Sequence, residues 1–516
     1  MPVHDRQAPP EGHGEVLYAP LLDTWASLAR ANSAAADGWP EQLRTLRRDA
    51  RADAVAAARA YSRKIGVVPS DRDSGDMIVM TGHQPELFHP GVWVKDFVVQ
   101  RMSEELPALG IDLVVDTDAA GRVELVTPCL SPEVGVCRVP LAEALEDAAY
   151  AQVPVPDRAR RAAFREAGLE ALATLTAPAL ARHFAAFADA LDAMADRVDD
   201  IGSLLTAARR VYEGPAGTDY LELPVSIQAR TPSMRHFCAT LLTDADRFRR
   251  LTNAALAEYR QRTGTRSVAQ PFPDLDRSND RTEVPFWLLA GGTRMPLHVD
   301  GRQRLWAGDS AVAELGATAE SATAALERED LLVAPKALAL TLFERLFVAD
   351  LFVHGTGGGR YDRVTDAIVR EYYGIEPPAF VVTSMTLLLP LGCPITTDAE
   401  VAALEQRLHR IEHNPDQVLG DVEFDTVDER SRAEELASRK AALVAAISAP
   451  GADRKTLGAR IRQVNAELAE LLSPLTDDVR ASLARVRSSR EASAVLTDRT
   501  YPYCLWDPRE VADKVR

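Results

Sequence analysis

The chain has 516 residues, 46% of them apolar and 26% charged. At about 150 residues per domain this is two or three packing units, and the composition excludes a wholly disordered chain. With 59 Lys and Arg against 76 Asp and Glu the net charge is −17, which excludes a generic nucleic-acid-coating surface.

The opening residues carry neither a basic n-region nor an apolar h-region, which predicts a cytoplasmic address. Residues 1–76 form an N-terminal helical segment, with Leu21, Leu22, Trp25, Leu28 and Ala29 at helical spacing. A first part of an α/β core follows over 77–140. The apolar run 77–80 reads as a strand, Thr81-Gly82-His83-Gln84-Pro85 as a loop, 92–105 as a helix and 111–115 as a second strand ending in Asp116-Thr117-Asp118. Strand, helix, strand is the pattern of a parallel βαβ unit, and both polar clusters then lie at strand C-termini, where open sheets bind ligands.

Residues 141–215 are Ala-rich and read as a helical insertion, with Phe184, Phe187, Leu191 and Met194 at steps of three and four. A mixed α/β connecting region spans 216–330, with a helix at 245–261 and strands at 285–289 and 295–299. The second part of the core occupies 331–395. It reads as a helix over 335–349, a strand at 351–353, a Gly-rich loop from His354 to Arg360, a helix over 361–373 and strands at 380–383 and 386–389. The uncharged stretch 377–397 contains Pro377, Pro378, Pro390 and Pro394 and reads as buried strands, so no membrane span is expected.

A C-terminal antiparallel coiled-coil hairpin is predicted over 396–490. Thr397 and Glu400 form a capping box for a helix carrying Val401, Leu404, Leu408 and Ile411. Leu457, Ile461, Val464, Leu468, Leu471 and Leu475 then alternate steps of four and three, facing Ala433, Leu436, Leu443 and Ile447 across a turn at 448–451. Pro474 ends or kinks the second arm, and 491–516 is a tail. The five cysteines (Cys129, Cys137, Cys238, Cys393, Cys504) lack a CxxC pair and read as free thiols.

Four groups of residues can carry chemistry. Gly355, Gly357, Gly358 and Gly359 precede a helix, so their N–H groups and its N-terminus suit a phosphate or carboxylate, with His354, Arg360 and Tyr361 beside them; the plain alternative is a flexible turn. His83 and His89 stand in and after the first loop, with Gly82, Gln84 and Gly91, as phosphate donors or acid–base groups, or as helix caps. Lys95 is one of six lysines and reads as a helix-surface cation or a catalytic one. Asp116 and Asp118 suit a ribose, an amine or Mg²⁺, or form an acidic turn. His409 and His413 match HxxEH, but they fall opposite the apolar face of their helix and read as solvated. Arg247, Arg249, Arg250, Arg260, Arg262 and Arg266 form a basic cluster, read as a salt-bridged helix face more readily than an RNA contact. Ser384 and Thr386 line the same strand ends or are satisfied by backbone.

His89-Pro90-Gly91-Val92 is similar to the HxGH element of class I aminoacyl-tRNA synthetases and related nucleotidyltransferases, with Val92 at the second histidine position. The motif order also resembles a family. Thr81-Gly82-His83-Gln84 leading through Leu87-Phe88 into a helix, the stretch from Lys336 through Asp350 into the 355–359 glycines, Pro377-Pro378 before a strand with Ser384 and Thr386, and the C-terminal hairpin together resemble the bacillithiol-biosynthesis cysteine-adding enzymes, the BshC family. The resemblance spans most of 77–480. It implies a Rossmann-like, nucleotidyltransferase-like core and a ligase joining an amino acid, cysteine or another, to an amine acceptor.

ATP or another nucleotide, with Mg²⁺ as a companion ion, is then expected between the 82–91 and 355–361 loops. His83 and His89 would stabilise phosphate charge, and Asp116 or Asp118 would take the ribose or the incoming amine. A homodimer is expected, and aminoacyl-tRNA stands as a further donor class without a motif of its own. Two alternatives remain open: a metal-dependent hydrolase using His83, His89, Asp116 and His354, and a non-catalytic nucleotide-binding dimer.

Overall fold

The structure, a computed structural model, describes residues 7–68, 71–130, 134–267, 272–392 and 395–515. Two compact units divide the chain. One comprises Met1–Cys129, Val136–Leu388 and Arg499–Arg516, and the other Leu130–Gly135 and Leu389–Asp498.

The larger unit is mixed α/β. Its six-stranded sheet has the order Val16–Ala19, Phe380–Met385, Leu351–His354, Ile78–His83, Leu109–Val114, Leu221–Pro224. Every neighbouring pair is parallel except the edge, where Val16–Ala19 runs antiparallel to Phe380–Met385. From Ile78–His83 the chain moves outward in one direction, through the helix Pro90–Glu105, to Leu109–Val114. It later returns to the other flank of its first parallel strand, enters Leu351–His354 and passes through the helix Thr356–Ile368 to Phe380–Met385. The crevice between the C-terminal ends of Ile78–His83 and Leu351–His354 is therefore the topological switch point of the sheet.

Strand alternation sorts the side chains onto two faces. Ile78, Met80, Ile111, Leu113, Leu221 and Leu223 point into one core, shared with Ala54, Val55 and Ala58 of the helix Glu41–Lys64 and with Val364 and Ile368 of Thr356–Ile368. The opposite face takes Pro90–Glu105. There a Cβ on Gly110 would meet Val99 Cγ1 at 3.0 Å, Tyr220 Cβ at 3.1 Å and Ser103 Cβ at 3.4 Å, so glycine lets helix and strand close up.

A second, antiparallel sheet in this unit is built from Ser310–Glu314, Arg304–Ala307, Thr293–Asp300, Arg281–Ala290 and Val333–Pro335. It is longer than the short strands expected at 285–289 and 295–299. The helical insertion exists as Arg158–Ala173, Pro178–Met194 and Ile201–Glu213, but strands Gly135–Ala142 and Leu145–Ala149 precede it.

Three further expectations are corrected. The chain adds the strand Val16–Ala19 ahead of its first helices. No strand forms at 386–389: the backbone pairing with the edge strand runs out at Thr386, whose N–H meets Glu15 O, and the Leu388 N–H is taken by the His13 ring instead of a strand carbonyl. The helix after the glycines begins at Thr356, so Gly357, Gly358 and Gly359 form its first turn and not a loop.

In the smaller unit, Thr397 caps the helix Asp398–His413 in a capping box with Glu400. Ile411 packs with Val418, Leu472 and Val479, while His409 and His413 stay exposed, as their helical phase requires. Val427–Ile447 and Arg454–Leu471 pack through Ala433, Leu436, Val464 and Leu468. Pro474 lies in the first turn of a new helix, Ser473–Leu496, that the hairpin reading lacked. Cys129, Cys137, Cys238 and Cys504 are free thiols, whereas Cys393 and Pro394 lie outside the described residues. Among the described residues no helix is long and apolar enough to cross a membrane.

Gly110→Ala is expected to lower stability by about 1–3 kcal/mol, because neither Val99 nor the Tyr220 and Ser103 stems can retreat without repacking the helix. A urea midpoint unchanged from the parent would contradict the close approach.

Candidate functional site

Two clusters of polar side chains flank the switch point, one on each face of the sheet. The first grows from strand register. Asp112 lies beside Thr81 on one side and Glu222 on the other, so two carboxyls emerge next to each other on the face covered by Pro90–Glu105. The helix Ile201–Glu213, buried on nearly every side, brings Arg209 to meet them. Arg209 Nη1 lies 2.5 Å from Asp96 Oδ2 and 3.3 Å from Glu213 Oε1, and Nη2 lies 2.7 Å from Asp112 Oδ2 and 2.9 Å from Glu222 Oε1. Its Nη1 also donates to the Tyr220 hydroxyl, which donates in turn to Glu213. Arg210 pairs with Glu213 at 2.9 Å. Burial pushes the Asp96 and Glu222 carboxyls well up, with Arg209 pulling the other way.

Lys95 joins this cluster, which corrects its reading as a helix-surface cation. It is 3% exposed, and its Nζ donates to Gly82 O at 2.7 Å. Burial lowers its basicity, opposed by Asp96 and Asp112.

His83 ends the first parallel strand beside Val114. Its Nδ1 lies 3.0 Å from Gln84 O. A carbonyl only accepts, so Nδ1 carries the proton and Nε2 keeps its lone pair. Burial first, then the Lys95 charge, holds the imidazole down at about 3, so it is neutral at physiological pH. His83, Gln84, Glu86, Asp112, Thr206 and Arg209 line a cavity of about 10 Å³, the room one water needs, together with the apolar Phe88, Leu205 and Tyr503. One oxygen of Asp112, Oδ1, is buried there without a hydrogen-bond partner. Glu86 accepts from the Tyr150 hydroxyl at 2.8 Å.

The remaining first-loop residues are arranged around this cavity. Gln84 Nε2 donates to Asp118 Oδ2 at 2.9 Å, and Arg294 pairs with Asp118 Oδ1 at 2.7 Å. Asp116 turns the other way, accepting both the N–H and the hydroxyl of Ser226. Burial raises its carboxyl to about 7 in spite of those two donors. His89 is a helix cap: its Nδ1 accepts the Gly91 N–H at 3.0 Å. Gly91 is packed against the end of Phe380–Met385, where a Cβ would fall 2.8 Å from Met385 O and 2.2 Å from Arg499 Nη2. Arg499 donates to Ser384 Oγ at 3.1 Å and Thr386 Oγ1 at 2.8 Å, so Ser384 is held by a side chain and not by backbone.

The second cluster lies on the other face. His354 is buried with Nε2 2.8 Å from Asp362 Oδ2, and Asp362 pairs with Arg345 at 2.7 Å. Burial opposes the Asp362 charge, but Arg345 and His354 outweigh it and hold the carboxyl below its usual range. Two glycines serve packing: a Cβ on Gly358 would lie 2.8 Å from His354 Nδ1, and one on Gly359 2.5 Å from Val382 Cγ2. Gly355 and Gly357 face open space at the helix N-terminus, where first-turn N–H groups have no intrahelical acceptor. Arg360 is exposed and donates to Gln7 O at 3.3 Å, and Tyr361 stacks edge-on against Phe272.

The register Val79 to Leu351 and Met80 to Phe352, carried on through the Thr81 Oγ1 bond to Val353 O, sets His354 beside Gly82 on the neighbouring strand. Adjacent strands lie about 4.8 Å apart. His83, Gln84 and Asp118 thus share one cluster and His354 with Gly355–Arg360 the adjacent one, while Asp116 and His89 are committed elsewhere. His83, His89, Asp116 and His354 do not converge. Among the described residues no three His, Cys, Asp or Glu side chains form a metal-ligand group. The basic cluster is a salt-bridged helix face, with Arg249 and Arg250 on Asp246 and Arg260 on Asp274. Arg209, Asp112, Glu86, Thr206 and Arg499 enter the site without having been singled out in the sequence. No protein-family model matches the chain, and no curated protein matches it.

Arg209→Leu is expected to cost about 3–5 kcal/mol, since it leaves four buried acids without their shared cation; urea denaturation measures it, and a loss below 1 kcal/mol would contradict the central role of the guanidinium. A second expectation concerns pH. Asp116 titrates near 3.9 when unfolded and near 7 when folded, so its contribution to stability is complete below about pH 4 and disappears as pH rises through 7. Stability curves of wild type and Asp116→Asn should therefore diverge between pH 4 and 7, with the variant the flatter.

Proposed function

We propose that the chain is an amide-forming ligase of the kind its resemblance to the bacillithiol-biosynthesis cysteine-adding enzymes implies, built on a Rossmann-like core. The observation that carries the reading is the neutral His83 imidazole at the switch point, sharing a water-sized cavity with an unsatisfied Asp112 oxygen.

Amide formation needs an amine freed of its proton beside an activated carboxyl. The cavity offers acceptors: His83 Nε2, Asp112 Oδ1 and Glu86. These hold an ammonium group by its N–H bonds, and Nε2 takes the proton that the nitrogen must lose before it attacks the acyl carbon. A low imidazole pKa makes His83 a weak base, so its role is a transfer within a water-poor pocket, with Asp112 balancing the imidazolium that forms. When the amine bonds to the acyl carbon, the leaving group departs with the electron pair of the broken bond.

Gly355, Thr356, Gly357 and Gly358 present helix N-terminal N–H groups on the adjacent strand end, which suit a phosphate or carboxylate, with Arg360 and Tyr361 at the rim. These residues would hold a nucleotide. A nucleoside triphosphate with Mg²⁺ supplies carboxyl activation when bound. In the same reading the packed helices Val427–Ile447 and Arg454–Leu471 are an antiparallel coiled-coil arm of a homodimer.

The test is mass-spectrometric detection of amide product from amino acids, an amino-sugar acceptor and ATP, together with calorimetry for each component. Wild type is expected to condense the two with nucleotide consumption, and His83→Ala to lose about 10²–10⁴-fold in rate. Gly358→Ala is expected to weaken nucleotide binding by displacing His354. Absence of both nucleotide binding and condensation in wild type would sink the reading, and stoichiometric Zn²⁺ or Mn²⁺ lost in His83→Ala would replace it with a hydrolase.

A further inference from the structure

We infer that Cys129 and Cys137 form an oxidisable thiol pair that closes to a disulfide in the folded protein. Cys129 ends the strand Val123–Cys129, and Cys137 lies near the start of Gly135–Ala142, which pairs with it in a two-stranded sheet. So short a connection makes the two strands a hairpin, because a parallel crossover needs a dozen residues or more. Paired antiparallel strands bring residues of opposite strands within the Cα range that a disulfide spans, and the two thiols are close enough to share a hydrogen bond. The two thiols interact directly, and both are half-exposed, so small reagents reach them. Glu124 and Arg138 form an ion pair across the same two strands, which supports their pairing.

The other described thiols are unlike these. Cys238 and Cys504 are fully buried, and burial raises both. Cys137 is pushed up to about 11, first by its hydrogen bond with Cys129 and then by burial, which suits it to the second, resolving attack.

With a low-molecular-weight disulfide as oxidant, the Cys129 thiolate attacks one sulfur. The S–S bond of the reagent breaks, its other half leaves as a thiolate, and Cys129 carries a mixed disulfide. Cys137 then gives up its proton and attacks the Cys129 sulfur, releasing the second half. Two protein thiols are oxidised, and the reagent is reduced to two thiols.

The experiment treats the native full-length protein with glutathione disulfide, alkylates the remaining thiols and maps tryptic peptides. Both cysteines fall in the single peptide 123–138, between Arg122 and Arg138. The expected result is that this peptide loses two hydrogens and takes no alkylating label, while Cys238 and Cys504 stay reduced. In Cys137→Ser, the same treatment should leave a stable glutathione adduct on Cys129. Separate adducts on both cysteines in wild type, or full alkylation of both after oxidant has reacted elsewhere, would overturn the pair. Circular dichroism of Cys137→Ser shows whether the variant is folded, and the wild-type peptide map decides the matter if it is not.

Discussion

A single guanidinium organises the larger unit. Arg209 sits between two helices and two strands and bonds an acid from each of them: Asp96 from Pro90–Glu105, Glu213 from its own helix, Asp112 from Leu109–Val114 and Glu222 from Leu221–Pro224. Acids crowded at this density cannot be buried alone, and a cation with five donors is the one side chain that satisfies several at once. The geometry is demanding in return. A slip of either strand by one residue would turn its carboxyl to the apolar face, so the network enforces register where hydrophobic packing alone is more tolerant. The candidate cavity inherits its shape from that enforcement, because Asp112 accepts from Arg209 through one oxygen and leaves the other without a partner in the residue set that lines the cavity.

Much of the frame was legible in the residues. The 77–118 stretch announces strand, loop, helix and strand through its apolar runs and turn residues, and the chain folds in that order, except that Thr81, Gly82 and His83, expected in the loop, extend the strand Ile78–His83 and pair with Asp112, Leu113 and Val114. The capping box at Thr397 and the solvated phase of His409 and His413 also follow from local pattern alone. What stayed hidden depends on contacts distant in sequence. Arg209 meets Asp112 across 97 residues and Asp96 across 113, and nothing near any one of them names the others.

A mark of the network was nonetheless present. Asp96, Asp112 and Glu222 each interrupt an apolar run, and a charge inside a buried strand or helix demands a partner. Lys95 is buried in the same way: its neighbours Val92, Trp93, Val94 and Phe97 leave little of that helix for solvent. A glycine run before a helix suits an anion, yet two of the four glycines are needed simply to seat the helix over His354 and Val382. Sequence alone cannot separate these uses, since both call for a missing side chain.

The edge strand carries a further consequence for biogenesis. Among the described residues Val16–Ala19 pairs with Phe380–Met385 alone, and the Thr383 hydroxyl reaches Leu17 O across 366 residues. During synthesis this amino-terminal segment emerges from the ribosome long before its partner exists. It must therefore wait, exposed or sheltered by chaperones, while the intervening residues are translated. Closing so wide a loop places completion of the sheet late in folding, after the strands at Ile78–His83 and Leu109–Val114 have already met.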